Sequence, residues 1–175
     1  MKKIIALALI SLFATGVVSA QHCGNCPHHR QQQARQQSCQ PQVNADGIDM
    51  AIVKAFPEVK SVKKAEKWTE VYNAQSKLLG YAVYSKPASD GIKGYAGETP
   101  VLIALNSKQV ITGVYLLANS ETPKFAQHMQ ETGFYNNWNG LTVKKAKKKQ
   151  VDTVSGATFT SRAVIQSVQA ALNTL

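Results

Sequence analysis

Apolar and polar positions change rhythm along the chain, and each change marks a different kind of segment. Residues 4–18 are almost continuously apolar, and residues 21–44 offer almost nothing apolar. From about Asp46 onward the spacing becomes that of a folded domain. Ile48, Ile52, Val53 and Phe56 recur at helical intervals behind Asp46 or Asp49, either of which can cap a short helix that Pro57 ends. Thr69 to Ala74 and Leu78 to Ser85 read as two strands joined by Gln75-Ser76-Lys77, while Lys60 to Trp68 stays open between strand and loop. Lys86 to Gly94 is a turn-rich loop. Val101 to Leu105 and Val110 to Ala118 are apolar runs joined by Asn106-Ser107-Lys108-Gln109, the pattern of an antiparallel hairpin. Thr122-Pro123 then opens a helix through Glu131, Pro being suited to the first helical position. Val164, Ile165, Val168, Ala171, Leu172 and Leu175 form the apolar stripe of a last helix. Strands paired in hairpins with helices before and after them predict a single α+β domain over residues 45–175, built on a largely antiparallel sheet.

The first 44 residues carry different expectations. Lys2-Lys3, the apolar stretch and Val18-Ser19-Ala20 have the three parts of a secretory signal over residues 1–20, with cleavage before Gln21. The apolar stretch is short for a membrane span, which needs about 20 residues. Removal would leave 155 of the 175 residues and, with two lysines gone, take the net charge from +10 to +8. An exported protein of that charge suits anionic lipid or acidic partners, and no nucleic-acid motif is present. Residues 21–44 form a leader too poor in apolar groups to build a core. Its Cys23, Cys26, His28 and His29 are of the types that bind zinc or copper, or Cys23 and Cys26 could form a redox pair. Pro27 separates Cys26 from His28, which rules out a c-type haem attachment as written.

Most of the chemistry points to Asp152-Thr153-Val154-Ser155-Gly156-Ala157-Thr158, a loop feeding the last helix. Unpaired N–H groups and the positive end of the helix dipole suit a phosphate at that terminus. Gly156 permits backbone angles that other residues resist, Ala157 leaves room, and Thr158 presents a hydroxyl where the phosphate would rest. The same residues also read as an ordinary helix cap.

The order Asp-x-x-Ser-Gly-Ala-Thr-x-Thr-Ser before a helix resembles the flavinylation motif of the FMN-binding domain family. Gly94-Tyr95-Ala96-Gly97 before the hairpin and Glu121-Thr122-Pro123 after it match that family as well. The family includes the periplasmic G subunit of Rnf complexes and the C subunit of sodium-pumping NADH:quinone oxidoreductase. The resemblance implies FMN in phosphoester linkage on Thr158, with Ser155, Gly156, Ala157 and Asp152 around it and Glu121 and Thr122 near the ring. It implies a separate flavin transferase that uses FAD and magnesium and recognises Asp152 and the Ser-Gly-Ala-Thr. It also implies electron transfer with redox partner proteins at the membrane, from the periplasm or the outer face of the cytoplasmic membrane. Family members usually follow Glu-Thr-Pro with glycines, whereas Lys124 and Ala126 stand here. Two other readings stay open: a non-covalent FMN-binding domain or flavin reductase, and a Cys/His metal-binding envelope protein. Phe134, Tyr135 and Trp138 could wall a flavin ring or belong to the core. The lysines of Lys144 to Lys149 read as a solvated loop, able to steer an acidic partner. Thr160 and Ser161 read as lying beyond the motif.

Overall fold

A computed structural model describes residues 43–175. The signal at 1–20, and Cys23, Cys26, His28 and His29 of the leader, lie outside the described residues. Asp49 caps α1 (Met50–Ala55) by accepting the Ala51 N–H at 2.8 Å. Five strands follow, β1 (Ser61–Lys64), β2 (Thr69–Tyr72), β3 (Leu78–Tyr84), β4 (Val101–Asn106) and β5 (Ile111–Leu116). They pair antiparallel in chain order, so β1 and β5 are the edges. The segment that the sequence left open thus holds β1, exposed along its length and defended by Lys63 and Lys64 as an edge should be.

β4 explains the continuous apolar run in the sequence. Its side chains alternate between two cores, because helices cover both faces of the sheet. Val101, Ile103 and Leu105 face the larger core, while Leu102 and Ala104 share the other face with Ile52 of α1 and Phe56 just after it. Gly80 permits that second packing, since a Cβ there would lie 2.0 Å from the Leu105 carbonyl oxygen and 3.0 Å from the Phe56 ring. In β5 the register shifts opposite Ala104 and Leu105. The extra residue lets both Ile111 and Val114 reach the larger core despite their odd separation.

After the sheet come α2 (Pro123–Glu131), a 3-10 turn (Phe134–Trp138), α3 (Val143–Ala146) and α4 (Thr158–Asn173). α4 lays Val164, Val168, Ala171 and Leu172 on the larger core, a stripe close to that read from spacing. Phe134 and Trp138 are buried there, with ring centroids 5.6 Å apart in a T-shaped pair. Part of the lysine run is α3 rather than a loop. Its Ala146 is buried while the lysines beside it point to solvent.

Candidate functional site

The turn that precedes α4 sets the site. The Ala157 N–H donates to the Val154 carbonyl at 3.0 Å, closing a four-residue turn. Gly156 occupies its third position at φ +79°, the left-handed region that disfavours side chains. Asp152, Ser155 and Gly156 are exposed, so an enzyme can reach the motif from solvent. Thr158 is the first residue of α4 and Ala157 is the cap, with no side chain capping the helix. The cap reading of Ser155 and Thr158 is therefore corrected. The Thr158 hydroxyl has only a contact to the Val154 carbonyl at 3.5 Å, the outer limit of a hydrogen bond. A loosely held hydroxyl beside an uncapped helix terminus fits attachment of a phosphate.

Thr160 and Ser161 are part of the scaffold rather than beyond it, and both are buried. The Ser161 hydroxyl donates to the Thr158 carbonyl at 3.2 Å and accepts the Val154 N–H at 3.0 Å, tying the two ends of the turn together. The Thr160 hydroxyl donates to Glu121. Glu121 is buried, and its carboxylate also accepts the N–H groups of Tyr95 at 3.2 Å, Ala96 at 2.8 Å and Gly97 at 3.0 Å. Gly94 is needed beside it, because a Cβ there would stand 2.7 Å from the Glu121 Oε1. Glu121 thus joins the loop at 94–97 to the start of α4. With both oxygens occupied, it organises the site from beneath. Thr122 caps α2 by backbone position, without a side-chain hydrogen bond, and Pro123 opens the helix as its sequence predicts.

Two features escaped the sequence reading. His128 of α2 brings its Nε2 to 3.0 Å from the Ser155 carbonyl and lies against Gly156, so it braces the turn from outside. Two exposed aromatics, Tyr95 and Phe159, flank the groups that share the Glu121 carboxylate, at 64% and 65% exposure. Tyr95 stands edge-on to Phe125 of α2 at 5.1 Å between centroids. Phe159 sits inside the motif and Tyr95 inside Gly-Tyr-Ala-Gly, so an aromatic within each matched stretch was the available signal. Phe134, Tyr135 and Trp138 are core side chains instead. Burial pushes the Tyr135 phenol up to about 12.

A concavity of about 920 Å³ lies elsewhere, along β5 between α1 and the 3-10 turn. No residue of 152–158 lines it. Among the described residues no cluster of His, Cys, Asp or Glu could hold a metal ion. Nor, among them, is any helix long and apolar enough to cross a membrane.

Comparison with known proteins agrees with this geometry. Residues 94–173 match the FMN-binding domain. The G subunit of the Na⁺-translocating ferredoxin:NAD⁺ oxidoreductase complex of Acetobacterium woodii is 27% identical, over 93% of this chain and 82% of that protein. The G subunit of an ion-translocating oxidoreductase complex of Shewanella piezotolerans is 33% identical, over 45% of this chain and 42% of that protein. The chain thus spans less than half of the Shewanella relative. The crystal structure of Shewanella oneidensis NqrC superposes with a TM-score of 0.42 at 21% identity, covering 75% of this chain and 76% of that one. The turn, the Thr158 hydroxyl and the buried Glu121 tie thus all lie inside the stretch, residues 94–173, that matches the FMN-binding domain.

Proposed function

We propose that the protein carries FMN covalently on Thr158 and transfers electrons between redox partners outside the cytoplasm. The observation that carries this is the Thr158 hydroxyl, almost free of internal bonds at an uncapped helix N-terminus within a matched FMN-binding domain. Attachment forms a bond from Thr158 Oγ1 to the FMN phosphorus. It breaks the pyrophosphate of FAD and releases AMP and a proton. A separate flavin transferase with magnesium supplies that chemistry, acting on the exposed Asp152, Ser155 and Gly156. The α4 terminus steadies the resulting phosphodiester. Tyr95 and Phe159 would offer apolar faces to the ring.

The bound flavin accepts and gives electrons singly or in pairs, and the protein sets its position and surroundings. The relatives are named as subunits of ion-translocating complexes, which favours redox partners at a membrane. Protein co-produced with a transferase, denatured and run on a gel, is expected to fluoresce under ultraviolet light. Flavin released by denaturation would instead establish the non-covalent reading.

His128 is expected to matter for attachment. His128→Ala frees the turn, so flavin incorporation should fall several-fold while the melting temperature changes little. His128→Gln places an amide nitrogen close to the position of Nε2 and should restore much of the incorporation. His128→Asn, whose amide sits nearer the position of Nδ1, should restore less. Equal incorporation in all three would remove His128 from the site.

A further inference from the structure

The lysine run ahead of the motif is a surface whose charge nothing nearby answers. No acidic residue stands between Glu131 and Asp152, while Lys144, Lys145, Lys147, Lys148 and Lys149 are all exposed. Among the described residues no carboxylate pairs with any of the five. α3 is fixed by Ala146, buried in the larger core, and by Val143, which packs against it. At about 100° per residue, Lys144 then stands nearly opposite Ala146, with Lys145 and Lys147 to its two sides. The turn continues as the N–H groups of Lys148 and Lys149 donate to the Lys145 and Ala146 carbonyls, each at 3.1 Å. The core thus takes the apolar side of this short segment and leaves a fan of ammonium groups in water.

We infer that this fan docks the domain on the surface of an anionic phospholipid membrane. Charge complementarity sets the sign of the partner, and the residue types select lipid over an acidic protein. Protein interfaces are rich in arginine and aromatic side chains and poor in lysine. Residues 141–151 hold five lysines and neither an arginine nor an aromatic. Flexible ammonium groups suit headgroups that move to meet them, with no fixed fork geometry to match. Each lysine near an anionic leaflet adds roughly a factor of five to the partition coefficient. No large apolar side chain is exposed in 141–151, so docking is electrostatic and salt reverses it. Lys149 lies three residues before Asp152, at most about 11 Å away, so the docked domain holds the motif close to the lipid.

Co-sedimentation of the purified full chain with vesicles tests this. At about 0.1 M salt it should partition onto phosphatidylcholine vesicles that contain roughly 30% phosphatidylglycerol, and at about 0.5 M salt roughly tenfold less. Vesicles of phosphatidylcholine alone should hold little of it. The triple variant Lys144→Gln, Lys147→Gln and Lys148→Gln should partition roughly a hundredfold less onto the anionic vesicles. The triple variant Lys67→Gln, Lys77→Gln and Lys108→Gln removes the same charge elsewhere and should stay within about threefold of the wild type. All six lysines are exposed, so both triples keep the fold. Equal losses in the two triples would overturn the inference in favour of net charge. Equal partition onto neutral and anionic vesicles would overturn it too. A wild-type chain that ignores anionic vesicles would do the same and leave the lysines to an acidic protein.

Discussion

Thr158→Ala is expected to give a folded protein that carries no covalent flavin. The hydroxyl is the only group removed, and its one internal contact is the 3.5 Å approach to the Val154 carbonyl. Ala157, not Thr158, is the cap of α4, so the helix keeps its start. The cost in stability should be below about 1 kcal/mol, as for changes away from core and caps. Thr158→Ser keeps a hydroxyl on a slimmer side chain and should be partly modified. Intact mass and a thermal melt on the same samples separate attachment from folding. Flavin mass persisting in Thr158→Ala would transfer the site to another hydroxyl, of which Thr153 and Ser155 are exposed within the motif.

Glu121→Ala should be the most damaging single change near the site. Four donors lose their acceptor at once: the N–H groups of Tyr95, Ala96 and Gly97 and the Thr160 hydroxyl. The loop at 94–97 can open to water and recover some of that loss, whereas Thr160 is buried and cannot. A net cost of about 3 kcal/mol follows from the usual value of hydrogen bonds to a charged group. In a domain of this size that lowers the melting temperature by roughly 10 °C. Flavin incorporation should fall as well, because the first turn of α4 loses its tie to the loop. Glu121→Gln keeps one carbonyl oxygen but turns an amide toward the Tyr95 N–H or the Thr160 hydroxyl, so an intermediate loss is expected. A Glu121→Ala protein that melts like the wild type would contradict the view of this carboxylate as the site's main internal tie.

Much of the architecture was legible because β4, β5 and α4 declare themselves by burial. A run such as Val101 to Leu105 has few other uses, and Asn106 to Gln109 is a turn by composition. What the sequence hid depends on contacts between distant residues. Glu121 reads locally as the residue before a helix. Three of its four bonds reach back to a loop 24 to 26 residues away, and the fourth reaches forward 39 residues to Thr160 in α4. His128 sits in the last turn of a helix, and its partner carbonyl is 27 residues further on. Phe134 and Trp138 stayed open in the sequence between a ligand wall and the core, because a short 3-10 turn has little periodicity, and they are core. The lysine run disguised α3, whose only buried anchor is Ala146.

The central claim rests on one covalent bond, and the intact mass of the exported protein tests it most directly. Wild-type chain should be produced in cells that possess an active flavin transferase, then purified and denatured before measurement. The account predicts the mature mass increased by one FMN less one water, with the addition mapping to the peptide that contains Thr158. An unmodified mass from those cells would contradict it.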